Sequence, residues 1–222
     1  MYRLHYLDNS RAHRILWMFE ELGVEYDVEI YPRDRNMRAP ESLTRLHPLG
    51  KSPIVEAPDG ILAESGAIME ELVLRHPEAG LAPADPLSPE GRRYRYWMHA
   101  AEGSVMPLLV NRLVFSMMPR QVPALIRPVA RMISKGMMQQ MTDPGLKAQV
   151  AYWQDTLADG GYFAGDHFTA ADIQMSFPVE AAVLRLPVSP VPPAITAWLE
   201  AIRARPAYAR ALERGGAYDY AE

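Results

Sequence analysis

The chain has 222 residues and a formal net charge of −4, which argues against a general nucleic-acid-binding protein because such proteins carry a basic surface. Zero cysteines exclude disulfides, a protein thiol nucleophile and thiolate zinc sites, and the six histidines form no metal-binding motif, so we expect no metal. The sequence contains no signal-peptide core and no apolar run of about 18 residues, so we expect a cytosolic protein without membrane contact.

Periodicity predicts a small α/β domain over residues 1–77. Apolar residues alternate in the predicted strands and recur at helical spacing in the predicted helices. Gly23 is placed to end the first helix, and a turn at Pro58–Gly60 joins two strands into a hairpin. The expected order begins with a strand (2–6), a helix (12–22) and a second strand (24–30). A charged loop (32–40) and a helical turn follow, and then two strands (53–57 and 61–63) and a helix (65–76).

The second half of the chain is predicted to be all-helical. A proline-rich stretch at 78–89 is typical of a linker and separates the first domain from a helical one at 90–222. Eight of the 13 methionines lie between Met98 and Met141, where they either fill a helical core or line a pliable apolar pocket. Three tryptophans are spaced like anchors of that core: Trp97, Trp153 and Trp198.

Two features near the C-terminus concern local order. Thr169 followed by Asp172 is a variant capping box, with Asp in place of the usual Glu, and predicts a helix that begins there. From Gly215 onward the chain has little to bury, so we expect this tail to fray.

Ser10 follows the first strand and precedes the first helix. Its simplest role is to cap that helix, which stabilises it by about 1 kcal/mol. A helix N-terminus also favours a bound anion, because it presents free N–H groups and a partial positive charge. A hydroxyl at this place can therefore cap the helix or donate a hydrogen bond to a ligand thiolate.

Two later positions also allow a structural and a functional interpretation. Ser52–Pro53 precedes a strand, and the bond between them is expected to be trans because only about 5% of such bonds are cis. Glu64 and Ser65 open the third helical segment. They either cap it or hold the ammonium and the carboxylate of an α-amino acid head group.

Several motifs together resemble those of the soluble glutathione transferases. They are Ser10 with Arg14 four residues on, HPLGKSP at 47–53, ESGAI at 64–68 and FTAADI at 168–173. The runs YPRD at 31–34, RAP at 38–40 and ADIQMSFP at 171–178 are similar, more narrowly, to the fungal-type GTT branch, which bacteria also carry. The resemblance covers nearly the whole chain.

The resemblance implies a two-domain α+β fold. A thioredoxin-like βαβαββα domain would hold glutathione, and an all-α helical bundle would form most of the cosubstrate pocket. Ser52–Pro53 would then be cis, against the default above, and the Ser52 backbone would pair with the cysteinyl part of glutathione like an added strand. Glutathione would be a cosubstrate, and no metal is implied.

Other site residues follow from the same resemblance. Glu64 and Ser65 would hold the γ-glutamyl head and Lys51 the glycyl carboxylate, with Arg38 as a second candidate for that carboxylate. The complete implied glutathione-binding set is Tyr6, Ser10, Lys51, Ser52, Pro53, Glu64 and Ser65.

The catalytic group has more than one candidate. Ser10 matches the position of the catalytic hydroxyl in serine-type members, and a chain without cysteine cannot be of the cysteine type. Tyr6 ends the first strand near the place of the catalytic phenol in tyrosine-type members, although its alternation with Leu4 favours a core position. Asn9 is also close in sequence.

The implied activity is conjugation of glutathione to small apolar electrophiles, with reduction of organic hydroperoxides as a second activity. Two alternatives stay open: a non-enzymatic interaction scaffold on the same fold, and a dedicated glutathione-dependent isomerase or dehalogenase. The resemblance also implies a homodimer. Glu102 would then approach the partner's glutathione, unless it is an ordinary surface acid of its helix.

Overall fold

The computed structural model describes residues 1–34, 38–186 and 190–221. Residues 35–37, part of the predicted charged loop, lie outside this set. Within the described ranges, no helix is both long and apolar enough to cross a membrane.

The first half of the chain forms a four-stranded mixed sheet with two helices. Its elements are β1 (Tyr2–Leu7), α1 (Ala12–Leu22), β2 (Tyr26–Tyr31), β3 (Ile54–Ala57), β4 (Gly60–Ala63) and α2 (Ser65–Arg75). The strand order is β2-β1-β3-β4, with β1 parallel to β2, antiparallel to β3, and β3 paired with β4 as the predicted hairpin. The helical turn expected before β3 is a 3₁₀ turn at Glu41–Arg45. The thioredoxin-like order is thereby confirmed.

Local chemistry explains two of these elements. α1 ends where predicted, because Gly23 adopts a left-handed conformation (φ 63°) and its N–H bonds to the Phe19 carbonyl. In β1 only Arg3 is exposed, although alternation predicts one polar face. His5 is buried there because its two ring nitrogens pair with the Tyr31 hydroxyl at 2.9 Å and with Glu56 at 2.8 Å.

The described part of the second half is all-helical, as predicted. Its helices are α3 (Pro89–Ala100), α4 (Met106–Met117), α5 (Arg127–Met137), α6 (Asp143–Gly160), α7 (Ala170–Arg185), α8 (Pro193–Arg203) and α9 (Pro206–Arg214). The three tryptophans are each 1% exposed and anchor the core. The methionines divide, with Met98 buried and Met132 exposed. The proline-rich stretch lies between α2 and α3, and the exact limits of the two domains stay a prediction.

The two halves share one hydrophobic core. α1 packs against both α7 and α9, and the Trp17 ring meets the Tyr208 ring edge-on with centroids 5.0 Å apart. The Arg205 guanidinium donates two hydrogen bonds to the Glu21 carboxylate, at 2.6 and 2.8 Å. One continuous cluster of buried apolar side chains therefore runs from the sheet into the helical half.

The capping box at the head of α7 is confirmed. Asp172 is fully buried, and its carboxylate accepts hydrogen bonds at 2.9 Å from the Thr169 N–H, the Phe163 N–H and the Trp198 indole N–H. Asp172 therefore does more than cap a helix, because it also connects α7 to α8 and to the segment that precedes the helix.

The expectation of a frayed C-terminal tail was wrong. The Tyr218 ring stacks on the His13 ring with centroids 3.9 Å apart, and Tyr220 is only 6% exposed against Phe177. The sequence prediction failed because the tail buries its aromatic side chains on α1 and α7, which are distant in sequence. Residues 215–221, called the C-terminal tail below, are part of the packed structure.

Candidate functional site

A small cleft of about 120 Å³ brings together most of the predicted site residues. It lies between the start of α1, the loop that precedes β3, and the N-terminus of α2. The residues that line it are Arg11, His47, Leu49, Lys51, Ser52, Pro53, Ala63, Glu64 and Ser65. Five of these were predicted from the sequence: Lys51, Ser52, Pro53, Glu64 and Ser65.

Two opposite charges stand in the cleft without protein partners. Within the described ranges, neither the Lys51 ammonium nor the Glu64 carboxylate forms an ion pair or a hydrogen bond, and both residues are exposed. Glu64 also has a positive φ of 72°, a conformation that costs free energy in a residue other than glycine. An unpaired ammonium and an unpaired carboxylate complement a zwitterionic ligand, which carries carboxylate and ammonium groups of its own.

The Ser52–Pro53 peptide bond is cis, so the trans default is wrong and the expectation from the resemblance is met. The Ser52 hydroxyl is occupied by β1, since it donates to the His5 carbonyl at 2.8 Å and accepts from the Leu7 N–H at 3.2 Å. No hydrogen bond of the Ser52 backbone is found in the described part of the chain. The side chain thus fixes this loop on the sheet and leaves the main chain available to a ligand.

Ser65 is held by a buried arginine that the sequence did not place in the site. Arg14 is fully buried and donates to the Ser65 hydroxyl oxygen at 3.1 Å and to the Gln174 carbonyl at 2.7 Å. Because Arg14 supplies the donor, the Ser65 hydroxyl keeps its own proton for a ligand acceptor. Only the appearance of Arg14 in the motif with Ser10 hinted at a role.

Glu102 neutralises this arginine. Its carboxylate accepts a hydrogen bond from Arg14 at 2.5 Å and pairs with Arg11 through its other oxygen. Burial opposes ionisation of Glu102, but the two guanidinium groups outweigh it and hold the pKa of this carboxyl below its ordinary value. Glu102 therefore has partners within its own chain, and a contact with a partner subunit stays a prediction.

Ser10 lies at the start of α1, next to the cleft residue Arg11. Its hydroxyl oxygen accepts the Ala12 N–H at 3.1 Å, and the side chain is 7% exposed. The capping role is thus present. The hydroxyl proton has no acceptor among the described residues, so capping leaves it available to a ligand.

The other catalytic candidate, Tyr6, lies in the core. It is fully buried, and its hydroxyl has no hydrogen-bond partner among the described residues. Burial, assisted by the charge of Asp8, raises the pKa of this phenol above its ordinary value. The Tyr6 hydroxyl lies next to Gly215 of the C-terminal tail, and Tyr6 is not among the residues that line the cleft.

Arg38, the second candidate for the glycyl carboxylate, is exposed and does not line the cleft. Its backbone N–H bonds to the Asp34 side chain at 2.8 Å. Within the described ranges, no group of three or more acidic or histidine side chains is arranged to hold a metal ion.

The fold and the cleft define a two-domain protein in which a thioredoxin-like domain presents a small polar cleft next to a helical bundle. Residues 1–73 match the family model for the glutathione S-transferase N-terminal domain, and residues 105–206 match the model for the C-terminal domain. The chain therefore belongs to the glutathione S-transferase family, and it has the fold of that family.

Individual relatives agree with this assignment. Glutathione S-transferase 3 of Schizosaccharomyces pombe is 37% identical over 212 residues, covering 95% of this chain and 86% of that protein. Glutathione S-transferase 1 of Saccharomyces cerevisiae is 34% identical over 228 residues, covering 97% and 95%. A crystal structure of a glutathione S-transferase from Actinobacillus pleuropneumoniae superposes with a TM-score of 0.78 at 27% identity, covering 100% of this chain and 96% of that one.

Proposed function

We propose that this glutathione transferase is of the serine type. It binds glutathione in the cleft, stabilises the thiolate with the Ser10 hydroxyl at the start of α1, and conjugates the peptide to small apolar electrophiles. The observation that carries the proposal is the pair of unpartnered charges, Lys51 and Glu64, in a cleft whose lining includes Arg11, the residue that follows Ser10.

The cleft offers a partner to each part of glutathione. The Glu64 carboxylate suits the γ-glutamyl ammonium, while the Ser65 hydroxyl and the N-terminus of α2 suit the neighbouring carboxylate. The Ser52 backbone suits the cysteinyl amide and carbonyl. Lys51 suits the glycyl carboxylate. With the peptide bound in this way, the cysteinyl thiol would face α1.

The energy required for activation is modest. A thiol with a pKa of about 8.5 is only a few per cent ionised at neutral pH. Lowering this pKa by about two units takes roughly 2.7 kcal/mol of preferential binding to the thiolate. One charge-assisted hydrogen bond contributes about 1.5–3 kcal/mol and a helix N-terminus about 0.3–1 kcal/mol. Ser10 and α1 together can supply this amount.

A cytosolic homodimer completes the proposal. Val110 and Val114 are 44% and 56% exposed and lie one turn apart on α4. Apolar side chains on one helix face favour a protein interface when they remain exposed in a single chain. In the dimer, Glu102 would approach the partner's glutathione amine, and sedimentation that shows only monomer at micromolar concentration would contradict this part.

The central experiment compares wild-type protein with Ser10→Ala. We expect the substitution to raise the thiol pKa of bound glutathione, followed through the ultraviolet absorbance of the thiolate, and to lower turnover far more than glutathione affinity. Equal losses of both would make Ser10 a binding or capping residue. Binding with an unshifted thiol in wild type would contradict thiolate activation, and no binding at all would favour the scaffold alternative.

The same assays, repeated with an organic hydroperoxide in place of the electrophile, test the second activity that we propose. Turnover that depends on Ser10 with both substrates would mean that one thiolate serves both reactions. Turnover with neither substrate, despite an activated thiol, would favour a dedicated isomerase or dehalogenase.

A further inference from the structure

The loop between β1 and α1 is bonded to the other end of the chain. Asn9, which immediately precedes Ser10, donates its backbone N–H to the Ala217 carbonyl at 2.8 Å. Its side-chain oxygen accepts the Asp219 N–H at 2.8 Å. Asn9 has a φ of 49°, a left-handed conformation that Asn tolerates better than most residues. A single residue thus pairs twice with the C-terminal tail.

The close approach of the tail depends on Gly216. A Cβ at this position would lie 2.0 Å from the Asp8 carboxylate oxygen, 3.0 Å from an Ile30 methyl and 3.2 Å from the Tyr6 ring. The Asp8 oxygen is itself buried and has no hydrogen-bond partner in the described part of the chain. A side chain at Gly216 would therefore force either the Asp8 carboxylate or the tail itself to move.

The tail has an anchor of its own, independent of this loop. Besides the stacking of Tyr218 on His13, the Tyr218 hydroxyl donates to Glu180 of α7 at 2.5 Å. Tyr220 packs on Phe177 of the same helix, with ring centroids 4.7 Å apart. Since α7 lies in the core shared by both halves, the tail provides the loop with a fixed support.

Arg33 holds the same part of the loop through the carbonyls of Asp8 and Asn9. Its guanidinium donates to the Asp8 carbonyl at 2.8 Å and to the Asn9 carbonyl at 3.2 Å. Asn9 is therefore fixed through its carbonyl, its N–H and its side chain. The hydroxyl of the following residue, Ser10, donates no hydrogen bond to any described residue. This arrangement restrains the backbone next to Ser10 and leaves the Ser10 hydroxyl proton free to donate to a ligand.

We infer that the C-terminal tail positions Ser10 for thiolate stabilisation, and that Asn9 is the positioning residue through which the tail acts. The inference rests on the proposed serine-type function. The residues suited to the two ends of glutathione, Lys51, Glu64 and Ser65, lie on other elements. Loss of the tail contact should therefore reduce turnover and thiol ionisation more than glutathione binding.

Three variants test this inference. One ends the chain at Arg214 and removes the tail. Gly216→Ala keeps the tail but crowds its contact with Asp8, Ile30 and Tyr6. Asn9→Gly allows the positive φ while it removes the side-chain acceptor. Gly136→Ala is the matched control, because a Cβ there meets no atom within 4 Å. Near-ultraviolet circular dichroism confirms that each variant is folded, and the two point variants suffice if the shortened chain does not fold.

The readouts are hydrogen exchange over residues 8–12, the thiol pKa of bound glutathione, and kcat against KM for glutathione. We expect the test variants to show faster exchange, a higher thiol pKa and a kcat lower by at least about tenfold, since a misplacement of about 1 Å can cost about 100-fold in rate. KM should change less than kcat, and Gly136→Ala should match wild type.

The outcomes separate the two claims. Unchanged exchange in the three variants would overturn the inference, as would faster exchange with wild-type kcat and thiol pKa. If Ser10→Ala raises the thiol pKa and the tail variants do not, only the inference about the tail is wrong. If Ser10→Ala leaves the thiol pKa of bound glutathione unchanged, the serine-type function is wrong and the inference falls with it.

Discussion

The Arg14 guanidinium donates a hydrogen bond to Glu102 at 2.5 Å, although the two residues are 88 positions apart in the sequence. Arg14 belongs to α1 in the sheet-containing half, and Glu102 lies in the π-helical segment Ala101–Val105 that connects α3 directly to α4 in the helical half. The same guanidinium holds Ser65 in the cleft. One ion pair, with its arginine fully buried, therefore links the two halves of the chain beside the cleft.

Glu102→Gln is expected to destabilise the protein by about 3 kcal/mol, because it leaves the fully buried Arg14 without its charge partner. Urea unfolding measures this change. The control is Glu90→Gln, which breaks an exposed ion pair with Arg93 and should cost at most about 1 kcal/mol. Equal effects of the two substitutions would mean that the buried pair has no special role in stability.

Lys51→Met is expected to raise KM for glutathione about tenfold, because a charge-assisted hydrogen bond contributes about 1.5–3 kcal/mol. The effect should shrink as salt is added, since salt screens exposed charges. Steady-state kinetics at low and high salt measure both changes. Lys147→Met, at an exposed position on α6 away from the cleft, is the matched control. A wild-type KM in Lys51→Met would remove Lys51 from the site.

Glu180 is expected to make the stability of the protein depend on pH. Burial raises the pKa of this carboxyl from 4.5 to about 7, against the opposing effect of hydrogen bonds from Tyr208 and Tyr218. Because the folded pKa lies above the unfolded one, the stabilisation from proton binding is complete below about pH 4.5 and is lost as the pH rises through 7.

The expected loss is about 3 kcal/mol over this range, at about 1.4 kcal/mol per unit of pKa difference. Urea unfolding at several pH values should show that the free energy of unfolding of wild type falls with rising pH relative to that of Glu180→Gln, because the glutamine side chain does not ionise. Parallel pH profiles of the two proteins would show that Glu180 does not titrate with folding.

Asp172→Ala is expected to destabilise the protein by about 3 kcal/mol or more, because it leaves three buried N–H donors without their acceptor. Thermal unfolding measures the loss. Asp155→Ala, on the exposed side of α6, is the matched control and should stay within about 0.5 kcal/mol of wild type. A similarly small change in Asp172→Ala would contradict the assigned role.

Local patterns were sufficient to predict most of the fold. The end of α1 at Gly23, the hairpin of β3 and β4, and the capping box at Thr169 each depend on residues within a few positions of one another. Propensity and periodicity act at that range. The cleft was largely predictable too, although through family motifs more than through periodicity.

The features that the sequence did not predict are contacts between residues far apart in the chain. No local pattern distinguishes a buried arginine such as Arg14 from the exposed arginines of other helices, so its pairing with Ser65 and Glu102 was missed. The tail was misjudged for the same reason, since Tyr218 gains its burial from His13, which is 205 positions away. The cis Ser52–Pro53 bond contradicted the general preference for trans and followed only from the resemblance.

The continuous core has a consequence for how this protein can change. Because α7 and α9 pack directly on α1, neither half is a module that can be exchanged or expressed without exposing side chains such as Trp17. α5, in contrast, packs mainly on α4 and on adjacent turns. Substitutions on α5 are therefore less constrained by the sheet-containing half of the chain, whereas those on α7 and α9 must preserve the packing on α1.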